Sequence, residues 1–398
     1  MSAPYQTVPA PMLDEHALHA SRLTRLRSTM IDDGLDVVVL TNPVSIRYAT
    51  GYRSYTSFQS RIPSAYAFVP VEGPVVVHGA YVDDLPLIET TRPSHAITSF
   101  DAGLDLSRAA DRFTADIEHF FADAGLSTNA SLGIERTTPT GHRAFSDVGF
   151  NVFDAEPTVE LSRSRKSTEE MTALKYAISV AEYAMAEMEE ALEPGITENQ
   201  LWAILHHINI AHDGDWVDGR MLCSGPRTNP WYQEASHRRI ESGDLVAFDT
   251  DLIGPYGYCA DISRTFLCGD VPPTVDQVSL YQRALDEVAH NTELLHVGAS
   301  FAELSHAVLR HPDEFIANRY ACAFHGVGMT DEYPKIPYPD DWVTTGYDGE
   351  IEDGLVVAVE SYVGATGGVE GVKLEQMVQV TAHGVVALSS YPAWTFVQ

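Results

Sequence analysis

Positive charge is what this chain has least of. Its 398 residues carry 25 lysines and arginines against 56 aspartates and glutamates, a formal net charge of −31. That balance argues against nucleic acid, whose binding requires a basic face. It leaves a hydrated acidic surface, biased towards cationic or zwitterionic small molecules. Cysteine is scarce too. Cys223, Cys259, Cys268 and Cys322 form no C-x-x-C pair and are too few for a disulfide framework, so they are expected as reduced, buried thiols. No apolar run approaches the roughly 18 residues that span a bilayer. The opening stretch MSAPYQTVPAPMLDEHALHASRLTRLR lacks the basic start and apolar run of a signal peptide. A cytoplasmic globular protein with no membrane partner is the expectation, and the length suggests two domains.

What the chain does have is periodicity. An amphipathic helical pattern over about 14–34 leads into the strand-like DVVVL at 36–40. Further strand patterns stand at 64–71, 74–79, 131–135 and 151–155, with helical patterns near 106–124 and 138–147, an α/β alternation. After the polar, basic LSRSRKS the pattern changes. A long helix opens on the capping box Ser167/Glu170 and stops at Pro194-Gly195. Others open near Thr197, with Gln200 three residues on, and cover about 275–294 and 300–311, with strand-rich hairpins between and after them. The boundary is placed near 157–165, giving domains 1–160 and 161–398. The second domain echoes itself: IESGDLV (240–246) resembles IEDGLVV (351–357), each a glycine turn feeding a buried strand. Six residues beyond each glycine stands an acid, Asp249 and Glu360.

These acids belong to a larger set. In LVAFDTDLIGPYGYCADISRTF, Asp249 and Asp251 are two apart and would share a strand face, about 7 Å from each other. The turn Gly254-Pro255-Tyr256-Gly257 would return Asp261 opposite them. Glu360 ends LVVAVE and Glu375 lies in GVKLEQMVQV. One acid at a strand end is ordinarily a solvated edge. Five on apolar strands, with His325 in FHGVGMTDEYP, would each cost several kcal/mol unless a cation offsets them. Oxygen-rich donors with one imidazole suit Mn²⁺, Fe²⁺, Co²⁺ or Zn²⁺.

Asp249, Asp261, His325, Glu360 and Glu375, with the turns GDLVAFD, HGVG and VKLEQ, resemble the pita-bread metallopeptidase superfamily, which includes the Xaa-Pro peptidases and creatinase. The resemblance spans the chain. It implies an N-terminal creatinase-like α/β domain followed by a pita-bread domain of α+β character, its strands and helices duplicated about a pseudo-twofold. It also implies a dinuclear metal centre on these five residues. Peptidases of this fold carry a histidine where this chain has Asp331-Glu332, and another where it has Tyr232.

Those departures resemble one branch, the dimethylsulfoniopropionate (DMSP) lyases of the DddP type, which carry D-x-D, an acid ten residues on, and an H-G turn followed by D-E. The resemblance implies Asp249, Asp251, Asp261, His325, Glu360 and Glu375 as metal ligands, iron or a similar metal, and a homodimer. It implies Asp331 as the base and Tyr320 as a further active-site side chain. Where that family contributes a first-domain tryptophan, TGYRSYTSFQSRIPS offers Tyr52, Tyr55 or Phe58. Trp231, Tyr232, Tyr256, Tyr258 and Tyr333 are further candidate walls for a sulfonium, with Trp231 and Tyr232 preferred. The implied reaction is a β-elimination giving dimethyl sulfide and acrylate. The rival readings are an Xaa-Pro dipeptidase or aminopeptidase with altered proton shuttles, and a module that keeps metal for structure alone.

Overall fold

DVVVL supplies an inner strand of a six-stranded sheet. Val37–Leu40 (β1) is buried throughout, pairing antiparallel with Tyr66–Pro70 (β2) and parallel with Ser131–Ile134 (β5). Val75–His78 (β3), Ile88–Arg92 (β4) and Asn151–Asp154 (β6) complete the order β4-β3-β2-β1-β5-β6. The helix Ser107–Ala124 lays Phe113, Ile117, Phe120 and Phe121 into one apolar cluster with Val37, Val39 and Phe68. The computed structural model describes residues 8–80 and 87–393, which divide into a unit Leu13–Arg163 and a second made of residue 164 onwards with 8–12. The expected boundary near 157–165 falls on a helix. There Glu156–Ser164 carries a Ser162 carbonyl that accepts the Tyr48 hydroxyl at 2.8 Å.

In the helix Glu15–Asp32, the His19 ring lies under Gly51, where a β-carbon would sit 2.7 Å from Nε2. Gly51 also holds φ 76° as the left-handed cap of Pro43–Thr50. Burial, then Arg22 and Arg47, push His19 down to about 4. The folded pKa lies below the unfolded value, so this stability is full above pH 6.5 and drains as pH falls towards 4. Between pH 7 and 4.5, unfolding of the wild type should lose about 2 kcal/mol more than that of His19→Asn. Superimposable pH profiles would contradict the buried neutral ring.

The second unit bears its duplication in hydrogen bonds. Gly195 N–H donates to Ile240 O and Ile240 N–H to Ile196 O, matched by Gly298 to Ile351 and Ile351 to Ala299. Gly243 (φ 91°) and Gly354 (φ 90°) make the same left-handed turns, and their N–H groups donate to Cys268 O and Val380 O. The helices Glu198–Ala211 and Phe301–Ala307 open on capping boxes at Thr197/Gln200 and Ser300/Glu303.

Trp216–Val217 (β7), Leu252–Ile253 (β10) and Cys259–Ala260 (β11) form one small sheet, and Leu222–Ser224 (β8), Leu245–Asp249 (β9) and Ser263–Leu267 (β12) another. Phe324–Val327 (β13), Asp331–Ile336 (β14), Val356–Val363 (β15), Val372–Thr381 (β16) and Gly384–Ala387 (β17) form a third, in the order β14-β13-β15-β16-β17. Among the described residues no helix is long and apolar enough to cross a membrane.

Candidate metal centre

Four of the six implied ligands, Asp249, His325, Glu360 and Glu375, come from the inner strands of two sheets, and Asp251 and Asp261 lie in the connections beside them. Glu360 on β15 stands directly opposite Glu375 on β16, and both are essentially inaccessible. His325 on β13 pairs with Ala358, two residues before Glu360. Asp249 ends β9 opposite Ser263, and Asp261 lies two residues before that serine. Asp251 reaches the site by a route that strand alternation did not foresee. It sits beyond the end of β9 at φ 36°, a left-handed conformation that aspartate tolerates, at the switch into β10.

Ligand atoms within 4.8 Å of one another define three groups: Asp249, Asp251 and Asp261; His325, Glu360 and Glu375; and Asp261, His325 and Asp331. The arrangement fits a cation on electrostatic grounds. His325 Nδ1 faces the Gly326 carbonyl at 3.1 Å, which favours the proton on Nδ1. Nε2 then turns towards Glu360, Asp261 and Glu375 at 3.2, 3.4 and 3.7 Å, acceptors facing an acceptor. Only a proton or a metal ion between them removes that repulsion. Asp249 Oδ1 and Glu375 Oε1 are buried without a hydrogen-bond partner, as donor atoms awaiting a cation would be. Burial first, and then neighbouring carboxylates, hold Asp251, Asp261 and Glu375 well above the usual carboxylate range.

Lys373 was not singled out from the sequence. Its buried ammonium lies 2.5 Å from Glu360, 3.2 Å from Asp249 and 3.5 Å from Glu375, and donates to Ser263 Oγ at 2.7 Å. Burial lowers its pKa, but Asp249, Glu360 and Glu375 outweigh this and raise it well above the ordinary lysine value. A signal existed, because Lys373 is two residues from Glu375 on one strand and shares its face.

Asp331 opens β14 with its side chain 67% exposed, Oδ1 3.8 Å from His325 Nδ1. Among the residues of the three groups it is the exposed one. Tyr320 lies 4.4 Å below the Lys373 ammonium and stacks on Tyr232 at 5.5 Å. Tyr232 is 56% exposed and held at φ 68°. Trp231 is buried against Tyr362 and Ala247, its ring 5.9 Å from Lys373 Nζ. The other aromatics lie elsewhere: Tyr258 donates to Glu170 at 2.9 Å, Tyr333 stacks on Tyr347, and Tyr256 lies near Tyr176. In the first unit Tyr52 is buried, Tyr55 is exposed, and Phe58 meets Phe100 edge-on. All four cysteines are buried free thiols.

Known families match most of the chain. Residues 172–382 match Metallopeptidase family M24, and residues 22–164 match the Creatinase/Prolidase N-terminal domain. The chain is 36% identical to Dimethylsulfoniopropionate lyase DddP of Roseovarius nubinhibens, over 95% of this chain and 87% of that one. It is 32% identical to the protein of the same name from Roseobacter denitrificans, over 98% and 89%. In fold it resembles the Xaa-Pro dipeptidase from Bacillus anthracis, with a TM-score of 0.73 at 21% identity, covering 96% of this chain and all of that one. The two-domain arrangement and pita-bread fold expected from the sequence are thereby established, and the chain belongs to metallopeptidase family M24 as a DddP-type member.

Proposed function

We propose that this chain is a metal-dependent carbon–sulfur lyase that cleaves dimethylsulfoniopropionate to dimethyl sulfide and acrylate. One observation carries the reading. On a chain 36% identical to a DddP lyase, the exposed carboxylate of Asp331 stands beside His325, at a position where the resemblance places a histidine in the peptidases.

Asp249, Asp251, Asp261, His325, Glu360 and Glu375 are the residues that would hold the metal. Five carboxylates and the Lys373 ammonium leave a formal charge of −4, which two divalent ions would neutralise. Bound there, the ions supply Lewis acidity towards the substrate carboxylate and make the adjacent C–H more acidic. Asp331 accepts the proton from the carbon next to that carboxylate. The C–H electron pair becomes the new C=C bond, the C–S bond breaks, and its pair leaves with sulfur as neutral dimethyl sulfide. Tyr232, exposed and backed by Tyr320, offers aromatic surface to the sulfonium, worth about 0.5–2 kcal/mol. Iron is the first metal to test, before manganese, zinc or cobalt, and the enzyme is proposed to be a cytoplasmic homodimer.

Chelation to below 0.1 metal per chain should abolish dimethyl sulfide release, and adding back Fe²⁺ or Mn²⁺ should restore it (about 0.1 is the working limit, set so that residual holoenzyme stays small). Undiminished turnover by metal-free protein would overturn the metal-dependent reading.

A further inference from the structure

Asp331 and Glu332 are neighbours with opposite fates. The alternation of β14 turns Asp331 outwards and Glu332 into the interior, where its side chain is 1% exposed. Glu332 Oε2 lies 2.8 Å from the Lys166 ammonium, which is equally buried, and Oε1 accepts the Met329 N–H at 2.8 Å. The glutamate thus grips the turn Gly328-Met329-Thr330 that leads into Asp331. Gly328 leaves room for it, since a β-carbon there would fall 2.2 Å from Glu332 Oε2. Lys166 is itself fixed. Its Nζ donates to Ser164 O at 3.1 Å, its N–H to Gly354 O at 3.3 Å, and Arg165 bridges to Leu355. A buried ion pair whose two ends are anchored in this way is costly to break on one side only, because the remaining charge stays buried.

We propose that the Lys166–Glu332 pair is a positioning device that holds the Gly328–Thr330 turn so that the Asp331 carboxylate stands beside His325. Neither residue touches substrate. They act through Asp331, and the inference rests on its assignment as the base. A shift of about 1 Å in a reacting group can cost on the order of 100-fold in rate. The pair can therefore control turnover without contributing a ligand.

The test uses the metal-loaded enzyme. Lys166→Met should lower kcat for dimethyl sulfide release by about 30- to 100-fold, with KM within about threefold and metal content unchanged. Glu332→Gln, whose amide oxygen still accepts from Met329, should lose less, about 3- to 10-fold. In an Asp331→Asn background, Lys166→Met should add nothing, because the group it positions is already disabled. An unchanged kcat in Lys166→Met would overturn the proposal, as would a drop that matches loss of bound metal or an additive effect on Asp331→Asn. If the wild type releases no dimethyl sulfide, the substrate reading fails and hydrogen exchange decides the pair separately. Peptides covering 326–333 should then exchange at least about tenfold faster in Lys166→Met while those of β15 and β16 stay unchanged, and equal exchange in 326–333 would overturn the device.

Discussion

Asp331→Asn should stop dimethyl sulfide release almost completely, with a loss of about 100- to 10 000-fold in kcat, the usual contribution of a general base. The amide keeps the size and shape of the side chain but cannot accept the proton. Metal content should remain near that of the wild type, because Asp331 is exposed and the six other candidate donors are untouched. Elemental analysis of the purified variant beside a headspace assay checks both halves. Loss of metal would make Asp331 a ligand, and retained activity would remove it as the base.

Lys373→Met should have the largest effect on stability. The ammonium is the positive charge that the structure places among Asp249, Glu360 and Glu375, all buried. Removing one partner from a buried charge cluster leaves the others uncompensated, which costs about 3–5 kcal/mol. For a unit of this size that corresponds to a fall of about 10 °C in Tm for the metal-free protein. Divalent ions should stabilise the variant more than they stabilise the wild type, since they replace the missing charge and bind the folded state. Equal Tm values for the two metal-free proteins would show that Lys373 is not the counter-ion.

The clustering of the candidate ligands was legible in the sequence because buried strands alternate and an internal echo repeated the acid six residues after each glycine. Asp249 and Glu360 follow Gly243 and Gly354, whose turns share the same backbone conformation. Asp251 was placed near Asp249 for a reason the structure replaces. Its left-handed backbone at a switch between sheets brings it in, and no strand periodicity encodes that. Lys373 was legible in principle from its spacing to Glu375, but lysine is so rarely buried that its ordinary place is the surface. Glu332 is a similar case, because its partner Lys166 lies 166 residues away in sequence. Local patterns carry no record of such a pairing. The helix opening at Ser300 was expected to reach 311 but ends at Ala307, where Val308 turns extended and Asn291 accepts the Leu309 N–H at 2.9 Å. Ile88–Arg92 was missed because IETTR alternates too weakly to mark a strand.

Elimination on a peptidase-like scaffold is tested directly by giving the enzyme both kinds of substrate. Purified metal-loaded protein should be given DMSP in one vessel and Ala-Pro or Gly-Pro in another. Headspace dimethyl sulfide would be followed in the first, with acrylate in equal amount, and free proline in the second. Dimethyl sulfide and acrylate should form, with no proline above the metal-only blank. Proline release without dimethyl sulfide would contradict elimination and make the chain a dipeptidase.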